Sequence, residues 1–215
     1  VWRLEGNGND SSGFGNNGTP TNVTWQNEFQ CGLGFGSCIS LTGTGWIDFG
    51  NIFNTTEMRT NVTVSAWVKV DTLAQPDAGK GVVVSKRQFS VDNNMWTIYI
   101  SSLGATWGVH KEDNTQFLQS EPIELGKWNH LVGMWDKGVQ QLYVNGSLAK
   151  SNTRNFSVLN SSTARVYIGV EDTAVNHQLV GMVDEVAVYA TSFTASEIQE
   201  MYVQGLANYS FVSTR

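Results

Sequence analysis

Short runs in which hydrophobic and polar residues alternate recur along most of the chain, with turn-forming residues between them. Alternation with a period of two is typical of strands that bury one face. These runs predict strands over residues 62–70, 81–85, 96–100, 106–109, 130–135, 140–144, 165–170 and 181–189. Asn145-Gly146, after the sixth run, is typical of a type I′ hairpin turn. The pattern therefore predicts an all-β protein with many antiparallel strands.

The two ends of the chain depart from this pattern. The first 25 residues are rich in Gly and Asn and predict one opening strand followed by a long ordered loop. A short C-terminal helix is predicted over 195–204, because Thr194-x-x-Glu197 has the form of a capping box and Gly205 has the position of a helix stop. We therefore expect one domain over 1–205 and a strand-like tail over 206–215.

Composition and charge exclude several classes of partner. The 215 residues include 40% hydrophobic ones, enough for the core of a single domain. The net charge of -6 is not concentrated in blocks, which argues against a nucleic acid or an anionic membrane as partner. No run reaches the roughly 18 to 20 apolar residues that span a bilayer, so membrane insertion is not expected. The chain begins at Val1 without an apolar leader, as in a secreted chain whose signal segment has been removed.

Cysteines and glycosylation motifs point to the extracellular space. Cys31 and Cys38 are the two cysteines, and their spacing is compatible either with a small disulfide-closed loop or with a reduced pair in a cytosolic protein. Asn-x-Ser/Thr motifs without Pro are more frequent than expected, and this favours a protein with N-linked glycans. They begin at Asn9, Asn17, Asn22, Asn54, Asn61, Asn145, Asn155, Asn160 and Asn208.

Several segments, taken in order, resemble the laminin-G-like jelly-roll domains of the concanavalin-A-like lectin and glucanase type. The matching segments are Trp2 to Asn7, Asp10 to Thr19, Gly34 to Ile47, Thr63 to Lys69, Gly126 to Val132, Leu142 to Gly146, and Gly181 to Tyr189 followed by Thr194 to Ile198. The resemblance covers residues 1 to about 205. It implies a jelly-roll sandwich of two antiparallel sheets, and a role in binding glycans or proteins.

Glycan hydrolases are also built on this sandwich, and they resemble one another in a strand that carries Glu-x-Asp-x-x-Glu. This chain lacks that motif. Its adjacent acids Asp184 and Glu185 are expected on opposite faces of one strand, where they do not share a substrate. His110, His130 and His177 are far apart in the sequence, and His130 is assigned to packing. We therefore expect no enzymatic activity.

The same resemblance implies a structural Ca²⁺ ion where the first loop meets the final core strand. By that comparison the ligands are the carboxylates of Asp10 and Asp184 and the carbonyl groups of Gly6 and Thr19. The alternative is that Asp10 makes an Asx-turn and that Asp184 accepts hydrogen bonds from backbone amides.

Tryptophan side chains are the other candidates for ligand binding, because their rings stack on sugars in many β-sandwich modules. Four lie in predicted loops or strand edges, namely Trp25, Trp46, Trp96 and Trp107. The competing interpretation places these rings in the core. The other four, Trp2, Trp67, Trp128 and Trp135, occupy strand patterns that require burial.

Two functions follow from these observations. The first is a secreted, non-enzymatic glycoprotein of adhesive or structural type, whose tail adds a strand to a neighbouring copy and builds an extracellular filament or coat. In that hypothesis the partners are further copies of the chain, although the tail could equally pair within its own sheet. The alternative is a discrete Ca²⁺-dependent carbohydrate-binding module, with extracellular glycans or proteins as partners.

Overall fold

The computed structural model describes residues 1–32, 36–72, 79–88, 95–112, 114–172 and 177–212. Its strands, in chain order, are β1 Thr19–Thr21, β2 Thr24–Gln26, β3 Cys38–Thr42, β4 Trp46–Asp48, β5 Asn61–Lys69, β6 Lys80–Lys86, β7 Trp96–Ser101, β8 Gly104–Lys111, β9 Asn114–Gln119, β10 Trp128–Asp136, β11 Val139–Val144, β12 Ser147–Thr153, β13 Val166–Ile168 and β14 Val180–Tyr189. The helices are α1 Glu28–Cys31, α2 Thr56–Thr60 and α3 Ala195–Val212.

The strands form two seven-stranded antiparallel sheets that pack face to face. The order in the first sheet is β1-β4-β13-β6-β7-β8-β9, and in the second it is β12-β11-β10-β5-β14-β3-β2. Each of the eight alternating runs corresponds to one of these elements, and the prediction of a two-sheet antiparallel jelly roll is confirmed. Strands β9 and β12 were not predicted, because the segments that form them lack a clear alternation of apolar and polar residues.

The core lies between the two sheets and is largely apolar. Alternation along β5 turns Val64, Ala66 and Val68 inward, and none of the three is exposed. From the first sheet, the ring of Trp107 lies against the backbone of β10. A Cβ atom on Gly133 would come within 2.3 Å of this ring, so glycine is required there.

The opening segment differs from the prediction. Instead of a full strand it makes one isolated bridge, in which Trp2 and Val186 exchange backbone hydrogen bonds of 2.7 and 3.0 Å. The predicted long loop contains the short strands β1 and β2. Three-residue strands are too short to leave an alternating pattern, which is why the sequence did not reveal them.

The C-terminal tail is a second correction. The start of α3 is as predicted, with the amide of Glu197 donating to Oγ1 of Thr194 and the amide of Thr194 donating to Oε2 of Glu197. However, α3 continues through Gly205 to Val212, so the prediction of a strand-like tail is wrong for 206–212. Its last residues, 213–215, lie outside the described ones. Within the described part of the chain, no helix is long and apolar enough to cross a bilayer.

The helix α3 packs on the outer face of the second sheet. Ile198 is fully buried there in a cluster with Val132, Met134 and Tyr143. Gly205 is buried and lines a groove with Ser65 and Trp67 of β5. A glycine costs a helix only about 1 kcal/mol relative to alanine, so Gly205 by itself does not end α3.

Candidate ligand-binding site

A cleft of about 370 Å³ opens at one end of the second sheet, where β5 ends and β10 begins. Lys69 and Trp128 are directly opposite each other in these paired strands, so their side chains share a face. The turn before β10, the turn after β11 and one side of α3 complete the walls. The lining residues are Cys31, Gly32, Lys69, Glu124, Gly126, Lys127, Trp128, Asn129, Asn145, Tyr202 and Leu206.

The indole of Trp128 is fixed in the cleft. It is half-buried, and its Nε1–H donates a 2.7 Å hydrogen bond to the carbonyl oxygen of Cys31. Cys31 is in turn joined to Cys38 by a disulfide with a Cα–Cα distance of 5.9 Å, which confirms the predicted pairing. A ring that is held in place before binding loses little conformational freedom when a ligand stacks on it.

Two asparagine side chains brace the walls of the cleft. Nδ2 of Asn129 donates to the carbonyl oxygens of Glu124 and Lys127, at 2.8 and 3.0 Å, and so holds the turn between them. Oδ1 of Asn145 accepts from the backbone amide of His130 at 2.9 Å, and Nδ2 of Asn145 contacts Oδ1 of Asn129 at 3.3 Å. Because these amides are largely used within the protein, ligand recognition falls to the Trp128 ring and to the charged side chains at the rim.

The charged groups of the cleft are not equivalent. Nζ of Lys127 is 2.7 Å from Oε2 of Glu124, and this hydrogen bond raises the pKa of Lys127. Lys69 is half-buried, and its ammonium makes no hydrogen bond or ion pair with the described residues. Among the described lining residues, Lys69 is therefore a cation without a counter-charge.

The wall formed by α3 rests on a stack of aromatic rings. Tyr202 lies over Trp67 with ring centroids 5.7 Å apart, and Trp67 lies 5.1 Å from the ring of His130. Nε2 of His130 is 2.8 Å from Oγ of Ser65. Burial lowers the pKa of His130 to about 4, so the ring is neutral at physiological pH. This geometry agrees with the packing role assigned to His130.

A second polar cluster surrounds Glu171, whose negative charge is balanced within the protein. The Glu171 carboxylate is buried, with Oε1 2.5 Å from NH1 of Arg87, and its Oε2 contacts Nδ1 of His177. The Glu171 carboxylate thus already has a cationic partner within the protein. This distinguishes the cluster from the cleft at Lys69.

The predicted calcium ligands do not fit a metal ion in this arrangement. Oδ1 of Asp10 accepts from the amide and hydroxyl of Ser12 and from the N-terminal ammonium, while Oδ2 accepts from the amide of Asn16. Burial opposes ionisation, but these hydrogen bonds and the N-terminal charge lower the pKa of Asp10 to about 2. The oxygen lone pairs that Ca²⁺ needs are therefore directed at N–H and O–H donors. This is the Asx-turn alternative.

Asp184 has the opposite electrostatic character. It is fully buried, Oδ1 accepts from the amide of Glu185 at 2.8 Å, and Oδ2 has no hydrogen-bond partner. Burial raises the pKa of Asp184 to about 9, and the charges of Glu185 and Glu5 act in the same direction. The carboxyl group is thus protonated at neutral pH and is a poor ligand for Ca²⁺. Thr19 and Gly6, the other proposed ligands, are exposed, and the described residues include no group of three or more potential metal-binding side chains.

A β-bulge lies at the two adjacent acids Asp184 and Glu185, and it changes the orientation expected for them. The register of β14 against β5 shifts between Asp184 and Ala187, and Glu185 has a φ of 46°. Regular alternation, which placed Asp184 and Glu185 on opposite faces, is interrupted there. Asp184 lies opposite Trp67, and Glu185 lines a separate groove of about 190 Å³ beneath α3. Neither acid lines the cleft.

The structure places several tryptophan side chains differently from the sequence prediction. Trp96 and Trp107, predicted as stacking candidates, are fully buried in the core, so that prediction is wrong. Trp25 and Trp46 are half-buried but do not line the cleft. Trp128 was assigned to the core, yet it is the ring that the cleft presents. By alternation Trp128 shares the face of β10 with Val132 and Met134, which packs against α3 and not against the other sheet.

The predicted glycosylation sites differ in accessibility. Five asparagines are exposed, namely Asn9, Asn17, Asn22, Asn54 and Asn155. Asn61, Asn145 and Asn160 are half-buried, and Nδ2 of each donates a hydrogen bond within the protein. Asn208 lies within α3.

The chain belongs to the concanavalin A-like lectin/glucanases superfamily, because the sequence model of its laminin G branch matches residues 41–199. This agrees with the resemblance seen in the sequence motifs and with the two-sheet architecture. No curated protein matches the chain significantly.

Solved structures share the fold at low sequence identity. Domain 4 of AbnA, a GH43 extracellular arabinanase from Geobacillus stearothermophilus, in complex with arabinotriose, is 19% identical, with a TM-score of 0.69 over 93% of this chain and 94% of that one. The receptor-binding domain of botulinum neurotoxin C/D mosaic serotype is 15% identical, with a TM-score of 0.69 over 91% of this chain. The chain spans 48% of that toxin domain. At these identities the similarity concerns the fold.

Proposed function

We propose that this chain is a non-catalytic carbohydrate-binding module that acts outside the cell, with the cleft around Trp128 as its binding site. The observation that carries the proposal is the fixed, half-exposed indole of Trp128, surrounded by polar and charged groups. An aromatic face with polar groups at its edge suits a pyranose ring, which has an apolar face and a rim of hydroxyl groups.

Three further observations support this function. Glycosidic hydrolysis generally uses two carboxyl groups, whereas the described lining of the cleft contains one, Glu124, which is paired with Lys127. The neighbour from the arabinanase was solved with a bound arabinose oligosaccharide. The Cys31–Cys38 disulfide is typical of proteins from oxidising compartments and favours an extracellular location.

The competing proposal is a filament or coat built from copies of the chain through edge strands or through the tail. Residues 206–212 are helical, so strand pairing by the tail is not supported, while assembly through edge strands stays a prediction. A calcium requirement is likewise not part of the proposal, because both carboxylate oxygens of Asp10 accept hydrogen bonds from the protein and burial favours the neutral form of Asp184.

A glycan array followed by calorimetry on the best oligosaccharide tests the proposal. We expect Trp128→Ala to weaken binding at least about tenfold, equivalent to about 1.4 kcal/mol. The matched control is Trp46→Ala, which removes another half-buried indole outside the cleft. Both variants should keep the circular dichroism spectrum of a β-protein. Equal loss of binding in both variants, or no loss in Trp128→Ala, would place the site elsewhere.

A further inference from the structure

We infer that the cleft selects sugars that carry an anionic group, and that Lys69 is the residue that binds this group. This inference rests on the proposed function and specifies the class of ligand. It begins with the location of Lys69 at the end of β5, between Trp128 on β10 and Met182 on β14. Neither cross-strand neighbour supplies a negative charge.

The burial of Lys69 distinguishes it from an ordinary surface lysine. Its side chain is half-buried in the lining of the cleft, and its ammonium has no acidic partner among the described residues. A lysine side chain can bury its apolar stem while its ammonium stays accessible. An anionic ligand in the cleft would supply the partner that the described residues do not provide.

The other charges of the cleft do not meet this requirement. Glu124 is committed to Lys127 at 2.7 Å, and both side chains are largely exposed at the rim. Asp71, the nearest acid along the chain, is exposed. Its Oδ1 would lie 4.0 Å from a Cβ atom on Gly126 at the edge of the cleft, but it makes no ion pair with Lys69. The described lining therefore carries one net positive charge, although the whole chain has a net charge of -6.

The geometry joins the charge to the stacking surface. Residues directly opposite in an antiparallel pair have Cβ atoms about 4.5 to 5.5 Å apart, and this is the relationship of Lys69 to Trp128. A pyranose ring stacked on the indole would present the substituents of its edge to the lysine ammonium. Lysine acts as a point charge rather than a planar fork, so it is suited to a carboxylate or a sulfate ester.

Calorimetry with three matched probes tests the inference: trigalacturonate, the galactotriose obtained by reducing its carboxyl groups, and the same galactotriose bearing sulfate esters. We expect at least one anionic probe to bind about tenfold more tightly than the neutral one. Preference for trigalacturonate identifies a carboxylate ligand, and preference for the sulfated probe identifies a sulfate ligand. Either result supports the inference.

Variants of Lys69 test whether this residue causes the preference for anionic probes. Lys69→Met keeps the apolar stem and should lower the affinity for the anionic probe to that for the neutral probe, so that the preference is lost, whereas Lys69→Arg should retain it. Lys150→Met, a lysine on β12 outside the cleft, is the control and should behave as the wild type.

The outcomes separate this inference from the proposed function. If all three probes bind equally and Trp128→Ala abolishes their binding, the module binds carbohydrate and the inference about Lys69 is wrong. If the anionic preference survives in Lys69→Met, a different cation is responsible and the inference is again wrong. If no probe binds while the array identifies another sugar in the cleft, the ligand class is overturned and the function stands.

Discussion

The indole of Trp128 donates a 2.7 Å hydrogen bond to the carbonyl oxygen of Cys31, and this contact connects the cleft to the disulfide. The two residues are far apart in the sequence and belong to different structural elements. The disulfide thus holds the acceptor that sets the orientation of the ring, in addition to closing a short loop.

Removing the disulfide should therefore affect both stability and binding. In Cys31→Ser/Cys38→Ser we expect the free energy of unfolding to fall by about 2.5 kcal/mol, the loop-entropy value for a cross-link of this span. Sugar affinity should also fall, because the acceptor of Trp128 is no longer fixed. Denaturant unfolding and calorimetry measure the two effects. Unchanged affinity at a temperature where the variant is folded would show that the disulfide does not position the ring.

The raised pKa of Asp184 predicts an unusual dependence of the free energy of unfolding on pH. Its pKa is raised to about 9 in the folded state, so the folded protein retains a proton that the unfolded chain loses above about pH 4. Its contribution to stability is consequently complete below pH 4 and is lost as the pH rises towards 9, by at most about 1.4 kcal/mol per pH unit.

Asp184→Asn separates this effect from the rest of the protein. The amide stays neutral, so the variant should match the wild type near pH 4 and become progressively more stable than it up to pH 9. Urea denaturation at pH 5, 7 and 9 measures the difference. A variant that is less stable than the wild type at every pH would mean that Asp184 is ionised and paired in the native state.

Chelation gives a separate test of the first loop. Because the oxygens of Asp10 accept hydrogen bonds from Ser12, Asn16 and the N-terminus, EGTA should leave the melting temperature unchanged. Addition of millimolar Ca²⁺ should be equally without effect, since an ion that binds only the folded state would raise that temperature. A drop of several degrees in EGTA would restore the calcium site implied by the family resemblance.

Glycan occupancy should follow the accessibility of each asparagine. In a host that adds N-linked glycans, we expect occupancy at exposed sites such as Asn9 and Asn155, and none at Asn61 or Asn145. Nδ2 of Asn61 donates to Asp136 and Ser192, and Asn145 lines the cleft. Peptide mapping after enzymatic deglycosylation in ¹⁸O-labelled water measures the glycan occupancy of each site. A glycan on Asn145 would occupy the cleft and argue against a ligand there.

The strands of this protein can be predicted from the sequence because the alternation that marks each strand lies within the strand itself. Along β5, each second residue from Val62 to Val68 is fully buried, and a period of two is visible without knowing the partner strand. The start of α3 was predictable for the same reason, since Thr194 and Glu197 form their capping contacts three residues apart.

The features that the sequence did not predict depend on contacts between residues that are far apart in the chain. Gly205 has the local character of a helix stop, yet α3 continues past it to Val212. The bulge at Glu185 arises from pairing with β5 and has no pattern of its own. Trp128 was assigned to the core because its neighbours alternate, whereas its exposure depends on the α1 segment and on α3. A binding site assembled from five separate segments leaves little trace in any one of them.

The most direct test of the central claim is a two-dimensional ¹H–¹⁵N spectrum recorded during titration with the oligosaccharide chosen by the array. Trp128→Phe identifies the indole signal of Trp128 among those of the eight tryptophans. If the cleft binds the sugar, this signal should shift on addition of the oligosaccharide, together with the backbone amides of Lys69, Gly126 and Asn145. Shifts confined to the other sheet, for example around Tyr99 and Phe117, with the Trp128 indole unchanged, would contradict that claim.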